Sequence, residues 1–139
     1  LAARGDQVWI GSDGDAEAPW QRGSGEVWRV APGSPPTVAL RGPVAAAIGV
    51  SLTGQLFVAD RHAAKIVVLD TEGQAVEFAS FTDGDAPRSL CFAPVTPETR
   101  RTGIAGDLFV ITISRGAWQV NEILRISGPF DELVQGKKR

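Results

Sequence analysis

Short apolar runs alternate with polar turn segments along the chain, and the runs form three similar sets. The first run of each set lies at residues 7–10, 55–59 and 107–111. The second runs lie at residues 27–30, 66–69 and 123–126. Shorter third runs lie around Val38, Val76 and Leu133. Short apolar runs bounded by turn signals predict β-strands, so the pattern predicts an all-β chain built from three tandem units.

The spacing of the units indicates their architecture. Trp9 and Phe57 are 48 residues apart, and Phe57 and Phe109 are 52 residues apart. Periods of roughly 40 to 50 residues with several strands per unit are typical of β-propeller blades, whereas helical repeats would show a 3.6-residue periodicity. We therefore interpret the chain as a partial β-propeller of about three four-stranded blades, half of a six-bladed ring. The blades are residues 1–42, 43–86 and 87–136, followed by a basic tail at 137–139.

Small residues mark the predicted innermost strand of the second and third blades. These runs are residues 43–50 and 87–94, and their small side chains suit the crowded axis of a propeller. The first blade is expected to be incomplete, because only residues 1–5 precede its first run. The connection between the first and second runs varies in length between blades, so we expect function to depend on those loops.

An arc of three blades predicts a partner. Closed propellers typically have four to eight blades, and an open arc would leave the apolar flanks of its end blades in water. We expect either another copy of the chain or a second chain to supply the missing blades. The absence of an initiating Met favours processing or truncation of the N-terminus.

Composition narrows the function classes. The chain is 43% hydrophobic and 22% charged with a net charge of −2, which predicts a soluble folded domain and argues against nucleic-acid binding. No signal peptide or membrane-spanning run is visible, so no membrane insertion is expected and the compartment is left open. The basic tail at 137–139 is interpreted as a solvated terminus. The single cysteine, Cys91, is expected to be a buried structural thiol between Leu90 and Phe92.

Acidic residues gather in the loops that an up-and-down blade brings to one mouth of a propeller. They are Asp13, Asp15, Asp60, Asp83 and Asp85. Carboxylate oxygens would suit Ca²⁺ or Zn²⁺. Asp-Gly pairs are also ordinary turn formers whose side chains bond their own backbone. We favour the structural interpretation, and no cofactor is required by the sequence.

The same rim and its long loops carry candidate binding residues. They are Trp20, Trp118, Arg61, His62 and Arg115. Exposed indoles in long loops could stack on a sugar or anchor a partner, and capping of the core by the loops is the alternative. His62 is the only histidine, which excludes a multi-histidine metal centre, and a solvated turn histidine is the favoured interpretation.

The second and third units resemble a known family. Residues 54–60 running into 65–70, then 88–92, and later 106–110 to 122–128, are similar to the C-terminal half of SMP-30/gluconolactonase six-bladed propellers, and also to NHL-repeat propellers. The gluconolactonase resemblance implies a divalent metal held by Glu, Asn and Asp, with an Asp as general base for lactone hydrolysis. One implied acidic ligand falls at Gly11, which has no side chain to coordinate a metal, and Asp13 follows two residues later.

Two functions from different classes follow from the sequence. The first is a noncatalytic propeller module that binds a partner or acts as a scaffold and completes a ring with another copy or chain. The second is half of a metal-dependent, gluconolactonase-type hydrolase. We prefer the first, because a ligand position has been lost and the long loops carry tryptophans.

Overall fold

The computed structural model describes residues 1–12, 25–82, 84–114 and 121–130. Within these residues the chain forms eleven β-strands and one short helix, α1 (Pro97–Arg101). The strands are β1 (Ala2–Arg4), β2 (Gln7–Ser12), β3 (Gly25–Val30), β4 (Thr37–Gly42), β5 (Ala45–Val50), β6 (Leu56–Asp60), β7 (Lys65–Leu69), β8 (Ala75–Ser80), β9 (Asp85–Phe92), β10 (Leu108–Ser114) and β11 (Glu122–Ile126). In the described part of the chain, no helix is long and apolar enough to cross a membrane.

The strands form three antiparallel sheets, each made of strands consecutive in sequence. Sheet 1 has the order β1-β2-β3-β4, sheet 2 has β5-β6-β7-β8, and sheet 3 has β9-β10-β11. The all-β prediction is confirmed, and the predicted runs coincide with strands of these sheets. The last predicted strand, around Leu133, lies outside the described residues.

The central strand pairs of the three sheets share one register. Gly11 lies opposite Val27 in sheet 1, and Ala59 lies opposite Ile66 in sheet 2. Ile111 opposite Ile123 completes the series in sheet 3. Sheets 1 and 2 also carry a register shift at the same place, immediately after Val27 and after Ile66. Residues at matching positions can therefore be compared directly between sheets.

Sheet 2 lies between sheets 1 and 3, and its two central strands, β6 and β7, are buried on both faces. Successive residues of a strand point to opposite faces, so all five residues of β6 are buried. The core between sheets 1 and 2 contains Trp9, Val27, Leu40, Ile48, Leu56, Val58 and Val67. The core between sheets 2 and 3 contains Phe57, Ala59, Ile66, Val68, Leu90, Leu108, Val110 and Phe130.

Glycine allows two close approaches in this packing. A Cβ on Gly49 would lie 2.4 Å from Cδ1 of Leu90, so the Leu90 side chain fills the space above that glycine. A Cβ on Gly25 would lie 2.1 Å from the carbonyl oxygen of Pro43, which is backbone and cannot turn away. Both positions exclude any side chain without movement of their neighbours.

The first strands of the three sheets lie side by side, with β5 contacting β1 on one flank and β9 on the other. The predicted inner run at 43–50 corresponds to β5. The expectation that no inner strand precedes Gln7 was wrong, because Ala2 pairs with Trp9 and Arg4 with Gln7. A three-residue strand is too short to show an apolar alternation in the sequence.

Helix α1 was not anticipated from the sequence. It occupies the connection from β9 to β10, where sheet 2 has only a tight turn. Thr96 caps the helix in a reciprocal capping box with Thr99, and Pro97 begins its first turn. The strand that follows is anchored by Asp107, whose Oδ2 accepts from Nε of Arg125 at 2.6 Å and from Oγ of Ser127 at 3.0 Å.

Candidate functional site

The turn after β6, one of the loops predicted to lie on the rim, is bonded to the segments on either side of its own sheet. The turn after β6 donates from the backbone N–H of Arg61 to the carbonyl of Val44, 3.2 Å away. In the same turn, the carbonyl oxygen of Ala64 accepts a hydrogen bond from the backbone N–H of Phe81, 2.8 Å away. The turn therefore joins the connection that precedes sheet 2 to the connection that follows it.

Asp60 closes this turn. Its side chain is buried, and Oδ1 accepts from the backbone N–H groups of His62 at 3.0 Å and Ala63 at 3.1 Å. This arrangement is an Asx turn, in which a carboxylate replaces a backbone acceptor. Asp60 therefore bonds the backbone of its own loop, as the structural interpretation of this residue expects.

The remaining rim candidates are divided between described and undescribed positions. Asp85 is half-buried at the start of β9, and Arg61 and His62 are half-buried in the turn. The candidates outside the described residues are Asp13, Asp15, Asp83, Trp20, Trp118 and Arg115. Among the described His, Cys, Asp and Glu residues, no group of three is placed to hold a metal ion.

Gly11 faces sheet 2 rather than an open mouth. A Cβ at this position would lie 2.9 Å from Cβ of Ala45 and 3.2 Å from Cδ1 of Ile48. A carboxylate side chain has no room there unless β5 moves. The position at which the resemblance implies an acidic ligand is therefore part of the packing between two sheets.

A cleft that the sequence did not reveal opens between sheets 1 and 2 at the edge opposite this rim. Its volume is about 580 Å³, and its lining includes Trp9, Arg29, Gln55, Leu69 and Asp70. Oδ1 of Asp70 accepts from the N–H groups of two residues of its own turn, so this carboxylate also has a structural role. The lining residues come from well-separated segments, which is why no local motif signalled the cleft.

The outer surface of sheet 3, which faces away from sheet 2, carries apolar side chains together with the exposed residues Ser89 and Arg125, and we call it the following face of sheet 3. It includes Cys91, Phe109, Ile111, Ile113 and Ile123. Cys91 is exposed, so its expected burial was wrong. Alternation along β9 sends its neighbours Leu90 and Phe92 towards sheet 2 and leaves the thiol on the outer surface.

The exposure of Ile123 distinguishes this face from the equivalent faces of sheets 1 and 2. Ile123 is 72% exposed, whereas Val27 and Ile66 at the matching positions of sheets 1 and 2 are both 0% exposed. Those two residues are covered by the next sheet along the chain. The described residues place no sheet over Ile123.

The outer surface of sheet 1, on the opposite side of the molecule, also carries exposed apolar side chains. This surface points away from sheet 2, and we call it the preceding face of sheet 1. It carries Val8, Ile10, Trp28 and Val30, which pair across β2 and β3. Ile10 is 41% exposed, whereas Val58 and Val110 at the matching positions are fully buried. Both end sheets therefore present apolar surface where the central sheet presents none.

Comparison of the chain with protein-family models and with curated proteins finds no match. The fold and the surfaces of the described residues consequently carry the functional argument.

Proposed function

We propose that the chain is an arc of a β-propeller that acts as a noncatalytic binding or scaffold module, with its two end faces covered by further β-sheets. Those sheets would come from another copy of the chain or from a second chain. The exposure of Ile123, set against the complete burial of Val27 and Ile66, is the observation that carries the proposal.

The free energy of burial gives the proposal its physical basis. Covering a large aliphatic side chain is worth about 1.5–3 kcal/mol. The following face of sheet 3 holds three exposed isoleucines, Ile111, Ile113 and Ile123, on adjacent strands. Contiguous exposed apolar surface of this kind marks interaction sites on folded proteins. A sheet packed on this face would recover the burial that the equivalent residues already have.

The described rim supports a binding module better than a hydrolase. Asp60 uses one carboxylate oxygen to close its turn, and Gly11 lies in the packing between sheets. The alternative is half of a gluconolactonase-type hydrolase that binds a divalent cation. It draws on the resemblance and on the rim carboxylates, including Asp13. Stoichiometric Ca²⁺ or Zn²⁺ binding that disappears in Asp13→Ala, measured by titration calorimetry, would favour this alternative.

Charge substitutions on the end faces test the proposed module. Ile123→Glu and Ile10→Glu each place a carboxylate on one end face, and Val95→Glu is the matched control. Val95 is 39% exposed but lies in the connection between sheet 3 strands, outside either face. Native mass, binding of a hydrophobic dye and circular dichroism are measured for all of them.

We expect both face variants to keep their β-sheet spectrum while losing either association or dye binding, and the control to match the unmodified protein. If the face variants have the same native mass and dye binding as the control, the end faces are ordinary solvent surface. The module proposal would then be rejected.

A further inference from the structure

We infer that the cleft between sheets 1 and 2 binds a small aromatic carboxylic acid, whose ring lies where another part of the molecule has phenylalanine side chains and whose carboxylate pairs with Arg29. Both walls of this cleft consist of described residues. The inference therefore goes beyond the proposed function and does not depend on what covers the end faces.

The junction between sheets 2 and 3 shows how the equivalent space is filled by the chain's own side chains. Three phenylalanine rings surround Phe57 there, and they belong to Phe78, Phe92 and Phe130. Their centroids lie 5.2, 5.1 and 5.9 Å from that of Phe57, which are the separations of favourable aromatic contacts. Phe92 ends β9 and Phe130 follows β11, so these rings lie towards the edge opposite the rim.

The matching positions between sheets 1 and 2 carry small or aliphatic residues instead. The first pair consists of the extra residues at the register shifts between the third and fourth strands. The second pair consists of the last residues of β5 and β9, and the third pair of the fourth residues after β7 and β11. These pairs are Ala39 for Phe78, Val50 for Phe92 and Gly73 for Phe130. The cleft therefore opens at a junction that lacks all three aromatic rings.

Two further replacements make one wall of the cleft polar. Arg29 holds the position of Val68, since Arg29 lies opposite Trp9 as Val68 lies opposite Phe57. Thr37, opposite Arg29, replaces an apolar valine of β8 in the same way. Val68 is buried, whereas Arg29 is exposed and lines the cleft beside Trp9. The cleft thus combines an apolar floor with a cationic side chain.

Arg29 determines which charge the ligand carries. No carboxylate of the described residues is paired with Arg29. A guanidinium can donate two parallel hydrogen bonds to a carboxylate, which fixes the orientation of the acid as well as its charge. Asp70 lines the wall formed by sheet 2, and its negative charge disfavours a ligand with a second acidic group. These charges favour a monocarboxylic acid.

The size and floor of the cleft suit a small ligand with a ring. Its volume of about 580 Å³ lies within the roughly 300–1,000 Å³ of small-molecule sites. Its apolar lining includes Trp9, Leu56 and Leu69. Burial of a ring against these side chains supplies affinity, and Arg29 supplies the preference for an acid.

Titration of the full chain with phenylacetate tests this site. Phenylacetamide is the uncharged analogue, and acetate is the analogue without a ring. Binding is followed through the indole N–H signal of Trp9 in a proton–nitrogen correlation spectrum, which Trp9→Phe assigns. We expect saturable binding of phenylacetate, binding of the amide that is about two- to fivefold weaker, as for the loss of an exposed ion pair, and no saturation with acetate.

Three variants locate the ligand. Ala39→Phe restores a ring at the position of Phe78 and should abolish the binding of both aromatic probes. Arg29→Gln should weaken phenylacetate binding about two- to fivefold and leave the amide unchanged. Arg88→Gln is the matched control, because it removes an exposed arginine of sheet 3 that does not line the cleft. If Ale39 substitution by phenylalanine removes the β-sheet circular dichroism spectrum, Ala39→Leu takes its place.

Three results would overturn the inference. Absence of a saturable shift up to the solubility limit of phenylacetate would show that the cleft does not take an aromatic acid. Equal binding to the unmodified protein and to Ala39→Phe would place the ligand elsewhere. Equal affinities for the acid and the amide, unchanged by Arg29→Gln, would show that Arg29 does not select an acid. None of these results bears on the end faces, so the module proposal is tested separately.

Discussion

Isoleucine can be truncated at two matching positions, one in the central sheet and one in an end sheet. The comparison measures how much the burial of each side chain contributes to the free energy of unfolding. Ile66 and Ile123 occupy equivalent positions in β7 and β11, but their exposures are 0% and 72%. We consider Ile66→Ala and Ile123→Ala in the Ile10→Glu background, where association is expected to be absent. The two substitutions remove the same atoms from opposite environments.

The structure predicts a large difference in the free energy of unfolding. Ile→Ala removes roughly three carbons worth about 0.8 kcal/mol each, and a residual cavity adds to this, so Ile66→Ala should cost about 3–4 kcal/mol. Only about a quarter of Ile123 is buried, so the same reasoning gives about 0.6 kcal/mol for Ile123→Ala. Urea unfolding followed by tryptophan fluorescence measures both values.

Two outcomes would refute this reasoning. If Ile123→Ala costs as much as Ile66→Ala in the monomeric background, a part of the same chain must cover the end face. If Ile66→Ala costs less than about 1 kcal/mol, sheets 2 and 3 do not pack as the structure shows. Ile66→Val is the conservative reference, with an expected cost of about 0.5–1.5 kcal/mol in the free energy of unfolding. Its unfolding curve checks that the transition remains cooperative.

Three further predictions concern single side chains. Gly49→Ala should destabilise the fold by about 1–3 kcal/mol in urea unfolding, and part of the loss should be recovered when Leu90 is also reduced to alanine. Asp60→Ala should lower the melting temperature while Asp60→Asn largely preserves it, because an amide oxygen can still accept from the turn; an equal loss for both would indicate that the charge itself matters. Thr112→Val should be neutral or stabilising by about 1 kcal/mol, since the Thr112 hydroxyl is buried and has no hydrogen-bond partner among the described residues; marked destabilisation would reveal a partner.

The sequence predicted the strands well because alternation and turn residues are local signals. The runs at residues 43–50 and 66–69 were anticipated as strands and correspond to β5 and β7. The strand Ala2–Arg4 was missed because its pairing with β2 is a tertiary contact of three residues. Helix α1 was missed because a single turn has no apolar periodicity, and only its capping residues would have signalled it.

The candidate site was less predictable than the fold. The turn role of Asp60 could be anticipated, since the bond from its side chain to the next residues is local. The exposure of Cys91 could not, because two large apolar neighbours suggested burial while strand alternation sends it to the outer face. The two end faces appear only when matching positions are compared between sheets, which requires the register and the order of stacking.

The central claim is the proposal that the exposed outer faces of sheets 1 and 3 are covered in the functional protein. Sedimentation velocity of the unmodified chain across a wide concentration range tests this most directly, with Ile123→Glu as the comparison. The account predicts that the unmodified chain either forms species heavier than 14.7 kDa or binds a hydrophobic dye, and that Ile123→Glu loses that property. A single-chain mass for both at every concentration, with equally weak dye binding, would contradict it.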